Sequence, residues 1–149
     1  MAGLVVIDAS LAVKWIIPEP YTEQAFRLSE RWVSEQIQLI APCLILAEVT
    51  NAIFKRVNRR ELDLLTAREA LRTLLAFHIE IREQEGLPER ALELAQNFRM
   101  SASYGAHYLA LAESVGCDLW TGDRKLYERT KSQLSWVKWI GSFGARMQV

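Results

Sequence analysis

Apolar residues fall along this chain in two rhythms. Short runs such as Leu4-Val5-Val6-Ile7 alternate with longer segments in which an apolar residue returns every third or fourth position. The first rhythm is that of a strand buried on both faces, the second that of an amphipathic helix. Strands are therefore predicted over residues 4–8, 38–41, 79–82, 118–121 and 136–140. Helices are predicted over 11–17, stopped by Pro18 and Pro20, and over 21–34, with Thr22 as N-cap and Ala25, Leu28 and Trp32 on the inner face. Another is expected over 44–59, its apolar positions including Leu46, Val49, Ile53 and Phe54. The remaining helices are 64–77, capped by Asp63 or Thr66; 87–98, with Pro88 in its first turn; 104–115, closed by Gly116; and 125–131. This alternation predicts a three-layer α/β/α domain with a mostly parallel central sheet, because right-handed crossovers are the usual link between parallel strands.

Composition narrows the reading. The 149 residues suit one domain over 1–149, half of them are apolar and 24% charged, and no repeat or low-complexity tract interrupts them. Lys plus Arg and Asp plus Glu both number 18, so no overall basic field advertises nucleic acid, and any such contact must come from local patches or bound metal. The opening apolar stretch is too short for a signal peptide and no run is long enough to span a membrane, so the expected location is the cytoplasm. Cys43 and Cys117 have no CxxC partner and read as small buried hydrophobes. Trp15, Ile16, Ile17 and Trp32 read as core, with the Pro18 to Tyr21 turn beside them as a candidate interface.

Carboxylates carry the candidate chemistry. Asp8 ends the first strand and Asp123 follows the strand at 118–121, which places both in the crevice beyond the carboxyl ends of a parallel sheet, where open α/β sheets hold their ligands. Each has an ordinary alternative as a helix N-cap. Glu48 stands within a helix among apolar residues, where a carboxylate needs a partner or a metal; Lys55 and Arg56 are nearby but are not one-turn partners. Converging, the three would form an all-oxygen site suited to magnesium or manganese. A Ser-His-Asp triad through Ser10 has little support, since neither His78 nor His107 lies in a partner motif. Ser10 also occupies the place where a haloacid dehalogenase phosphatase carries its second aspartate. Lys55, Arg56, Arg59 and Arg60 crowd a helix end, where positive charge is favoured by the helix dipole alone, and read first as a solvated face. An RNA-contacting role stays open for them, as for Arg124 and Lys125.

Four segments together resemble the successive motifs of PIN-domain ribonucleases of the VapC toxin group: Val5-Val6-Ile7-Asp8-Ala9-Ser10, Leu46-Ala47-Glu48-Val49, Tyr108-Leu109-Ala110-Leu111-Ala112-Glu113 and Leu119-Trp120-Thr121-Gly122-Asp123. The resemblance covers essentially the whole chain. It implies a compact α/β/α domain, usually dimeric, that cuts RNA with Mg2+ or Mn2+ held by acidic residues and is neutralised by a small cognate antitoxin protein. By position, Asp8, Glu48 and Asp123 match three of the family's acidic metal-site residues, and Ser10 and Thr121 its small hydroxyl positions near the metal. The fourth acidic position fails: Tyr104-Gly105-Ala106-His107-Tyr108 puts Gly105 where an aspartate is expected. His107 points to another helix face, Glu113 lies about 12 Å along the helix by its rise, and Asp118 roughly 16 Å from Asp123 by strand rise, so none can substitute. Two readings remain: a metal-dependent ribonuclease impaired at position 105, and a catalytically inactive PIN domain that binds RNA or a protein.

Overall fold

A computed structural model describes residues 3–144. At its centre β1 (Leu4–Ile7) is flanked by β2 (Gln38–Ala41) and β4 (Asp118–Thr121), with β3 (Glu80–Ile81) and β5 (Val137–Trp139) at the edges, all parallel. Val6 pairs in register with Ile40 on one side and Leu119 on the other, and all three are fully buried. An uninterrupted apolar run therefore sits at the most enclosed place in the sheet. The edge strands are shorter than the apolar pattern predicts, since each has only one neighbour to extend its ladder.

The helices are α1 (Ala9–Ile16), α2 (Thr22–Ser34), α3 (Leu44–Asn58), α4 (Leu64–Leu74), α5 (Leu87–Asn97), α6 (Tyr104–Val115) and α7 (Arg124–Thr130). Right-handed crossovers put α1 to α4 on one face and α5 to α7 on the other. Consistent with that, α1 packs against α2, α3 and α4, while α6 packs on α5, β1 and β4. From β1 the chain builds outward through β2 and β3, then returns to add β4 and β5 on the opposite side. The direction of winding thus reverses between β1 and β4, where such sheets open a crevice.

Several local expectations are corrected. Thr22 is not an N-cap: Tyr21 takes that position at φ 70°, while the Thr22 hydroxyl accepts from the Glu19 N–H at 3.0 Å and donates to the Lys14 carbonyl at 2.9 Å. The helix foreseen over 64–77 ends at Leu74 and tightens into a 3-10 turn before His78, whose φ of 51° terminates it. Asp63, not Thr66, is its cap, accepting from the Thr66 N–H at 2.7 Å. Leu46 and Phe54 are half exposed, whereas Val49 and Ile53 face the core. Cys43 is exposed and Cys117 half-buried, so neither is the enclosed hydrophobe expected. Trp15, Ile17 and Trp32 are core, Trp15 stacking on Phe77 at 4.6 Å and meeting Trp32 edge-on at 6.2 Å. Ile16 is only partly buried, and Pro18, Pro20 and Tyr21 of the neighbouring turn are exposed.

Gly122, between β4 and α7, marks how closely the chain passes the start of α1. A Cβ there would lie 2.8 Å from the Ser10 carbonyl oxygen and 3.0 Å from its carbon. Because the obstacle is backbone, no rotamer change relieves it. Gly122→Ala is expected to destabilise the fold by about 1–3 kcal/mol, the usual cost of overpacking a tight contact, seen as a lower denaturant midpoint at unchanged m-value. An unchanged midpoint would show that the two loops can separate without penalty.

Candidate active site

Asp8 is the residue on which the crevice is built. As β1 runs out, Asp8 adopts an extended backbone and becomes the N-cap of α1, its Oδ1 accepting from the Leu11 N–H at 3.0 Å. The cap and site readings are compatible, because the same carboxylate also accepts from Ser10 Oγ at 2.7 Å and, through Oδ2, from the Thr121 hydroxyl. It is 5% exposed, and no Lys or Arg pairs with it among the described residues. Burial raises its pKa to about 6, against the downward pull of the Ser10, Thr121 and Leu11 hydrogen bonds, and the Asp123 charge adds to the rise.

The two hydroxyls tie the loops together. Ser10 Oγ donates to Asp8 and accepts from the Gly122 N–H at 2.9 Å, while Thr121 Oγ1 donates to Asp8 and accepts from the Asp123 N–H at 2.9 Å. Thr121 is fully buried behind Asp8 and does not face the crevice, so its place is one of support. The Ser10 proton is committed to a carboxylate and no imidazole approaches it; His107 Nδ1 lies 2.8 Å from the Ser103 carbonyl oxygen instead. The arrangement holds no nucleophilic serine.

Asp123 caps α7, with Oδ1 accepting from the N–H groups of Lys125 at 2.9 Å and Leu126 at 3.2 Å and Oδ2 left over. Glu48, on α3, is half-buried; Val49 beside it is buried, but Leu46 and Ala47 are exposed, so the enclosed setting expected for it holds on one side only. It makes no ion pair with Lys55 or Arg56, and Arg56 turns instead to Glu19 at 2.7 Å. Its partner is Tyr108 of α6, whose hydroxyl donates to Glu48 Oε1 at 2.6 Å. Tyr108 is 2% exposed, and burial, then the Glu48 contact, hold its proton firmly. Sequence reasoning passed over this residue. The available signal was a polar-tipped aromatic inside the apolar run of α6, which needs a partner once buried.

Asp8, Ser10, Glu48, Gly105, Tyr108 and Asp123 line one crevice of about 280 Å3, with Lys125 and Arg129 also in its wall. As a donor set for a hard divalent cation, three carboxylates without a paired cation are the right chemistry. Among the described residues, however, no three such side chains stand close enough to hold one ion as they are. Gly105 shares the crevice and brings no donor. A Cβ at 105 would meet only the flexible end of Met100, at 3.1 Å, and Leu126 Cδ1 at 3.7 Å, so a side chain can be added. None of the alternatives fills its place: Glu113 is held by Arg90 at 2.7 Å, and His107 and Asp118 lie outside the crevice wall.

The sequence pattern of the PIN domain matches residues 5–132. Ribonuclease VapC3 of Pyrobaculum aerophilum is 33% identical over 126 residues, covering 83% of this chain and 92% of its own. Ribonuclease VapC9 of Mycobacterium tuberculosis is 28% identical over 130 residues, covering 87% of this chain and 94% of its own. The crystal structure of PAE2754 from Pyrobaculum aerophilum superposes with a TM-score of 0.67 at 24% identity, over 99% of this chain and 98% of its own, a likeness of fold.

Burial of Asp8 has a measurable consequence. Its folded pKa of about 6 exceeds the ordinary 3.8, so the native state binds the proton more tightly and stability falls as pH rises between those values. Above pH 6 the penalty is fully present, on the order of 3 kcal/mol for a shift of this size. In chelator, Asp8→Asn should therefore melt higher than the parent at pH 7, and that advantage should vanish by pH 4. A melting difference independent of pH would show that the Asp8 charge is not strained.

Proposed function

The chain belongs to the PIN-domain family, in its VapC-type group, and we propose that it is a metal-dependent ribonuclease toxin weakened at position 105. The observation carrying this reading is the convergence of Asp8, Glu48 and Asp123 on one crevice at the sheet's switch point, none of them ion-paired with a Lys or Arg among the described residues. Magnesium or manganese held there would lower the pKa of a bound water and stabilise charge on the RNA phosphate. The chain's own contribution is positioning. Ser10 and Thr121 fix Asp8, Tyr108 aims Glu48, and the N-terminal amides of α7 fix Asp123 while leaving Oδ2 for the crevice.

RNA as substrate, a cognate antitoxin, a homodimer and a cytoplasmic setting complete the proposal. The exposed Leu46 and Phe54, on the side of α3 turned away from Glu48, support the protein partners by offering apolar surface outside the crevice. No helix among the described residues is long and apolar enough to cross a membrane. A second reading, an RNA- or protein-binding domain without catalysis, is favoured by one specific observation: the described carboxylates do not stand close enough together to enclose an ion, and Gly105 adds no donor.

Gly105→Asp separates the two. A fourth carboxylate adds like-charge repulsion in chelator, while saturating metal adds stability that grows with its affinity for the folded state. The variant should be no more stable than the parent in chelator, gain more from Mn2+, and cleave RNA faster by about two decades, the rate equivalent of about 3 kcal/mol of transition-state stabilisation. Equal metal-induced shifts would mean that position 105 does not serve the site. Equal cleavage rates would remove the claim of impairment, and no cleavage in either protein would leave the binding reading.

A further inference from the structure

A second cleft, of about 380 Å3, continues from the crevice along α3; Ala9, Ser10 and Glu48 belong to the walls of both. Its far end is lined by Asn51, Lys55, Arg56 and Arg59. Glu48, Ala52, Lys55 and Arg59 are spaced four, three and four residues apart, so they form one stripe along the helix. The charges in this cleft are not equivalent. Glu19 is satisfied by Lys14 at 2.9 Å and Arg56 at 2.7 Å, so Arg56 is already engaged. Lys55 and Arg59 are exposed and make no ion pair among the described residues. The stripe thus runs from a carboxylate at the crevice to two uncommitted cations, although the chain as a whole carries no net charge.

We propose that this cleft is a backbone track for single-stranded RNA, with Lys55 and Arg59 binding phosphates on one side of the scissile position. The proposal rests on the ribonuclease reading for its substrate class and adds where the strand lies. By helical rise, Lys55 is about 10 Å and Arg59 about 16 Å from Glu48, so the two cations stand about one helical turn apart along the track. The cleft contains no aromatic side chain on which a base could stack. Its contacts are therefore to phosphate, fixing register without reading sequence, and their strength falls with salt.

The test is binding of a fluorescein-labelled, unstructured RNA twelve nucleotides long to the full chain in chelator, over a series of salt concentrations. Lys55→Ala/Arg59→Ala should weaken binding at least tenfold for every sequence tried and lower the slope of log K against log salt by about 1.4, at about 0.7 per phosphate contact on a single strand. Arg68→Ala/Arg72→Ala removes the same charge from exposed α4 positions outside either cleft and should change binding far less. Both double variants should melt with the parent. Equal losses in the two pairs, an unchanged slope, or no RNA binding by the parent would each overturn the track. Cleavage with Mn2+ in the Gly105→Asp background is read separately. Track-dependent binding without cleavage would refute the ribonuclease reading and keep the track; cleavage with unaltered binding in Lys55→Ala/Arg59→Ala would do the reverse.

Discussion

A carboxylate taken out of water without a counter-charge costs several kcal/mol unless hydrogen bonds replace its hydration. Asp8 is in that position at the end of the central strand, and much of the local architecture is what keeps it there. Its oxygens are met by a backbone N–H from α1 and by hydroxyls from Ser10 and Thr121, two residues far apart in sequence. Ser10 and Thr121 in turn receive the N–H groups of Gly122 and Asp123, so satisfying Asp8 also locks the loop after β4 against the start of α1. The close approach at Gly122 is the steric counterpart of that lock. Asp8 and the loop bearing Asp123 are consequently held before any ligand arrives, although the described carboxylates do not close on one ion as they stand.

Glu48 enters by a different route. It comes from α3, on the opposite face of the sheet from α6, and is drawn to the crevice by the Tyr108 hydroxyl. One helix thus supplies both a site carboxylate and, on the same stripe, the uncommitted charges of Lys55 and Arg59. Chemistry and strand placement are coupled through α3, which the core holds along one face through Ile45, Val49 and Ile53, with Val57 packed against it near the far end.

Much of this was legible in the sequence because parallel strands buried on both faces write themselves as short apolar runs, and Asp8 follows one of them directly while Asp123 stands one residue past another. Gly116 as a helix stop and Pro88 in a first turn were equally local signals, and both stand in the structure. What escaped were contacts that local pattern does not encode. The Tyr108–Glu48 bond joins residues 60 positions apart, and the Thr22 hydroxyl is used by Lys14 and Glu19 across a turn rather than by its own helix. Apolarity also misled where the helix face decides: Leu46 and Phe54 are as hydrophobic as Val49 and Ile53 but point outward. The vacancy at Gly105 was visible from the motif, whereas the dispersion of the remaining carboxylates required three dimensions.

The central claim is that Asp8, Glu48 and Asp123 act together on one divalent cation. Calorimetric titration of Mn2+ into this chain and into Glu48→Gln tests it most directly, because glutamine keeps the side chain's shape and its capacity to accept from Tyr108 while removing the charge. The account predicts saturable binding to the parent, at least tenfold weaker binding to the variant, equivalent to about 1.4 kcal/mol, and an apo melting temperature unchanged or raised. Equal affinities with a lower apo melting temperature would contradict it, making Glu48 a structural partner of Tyr108 and not a ligand.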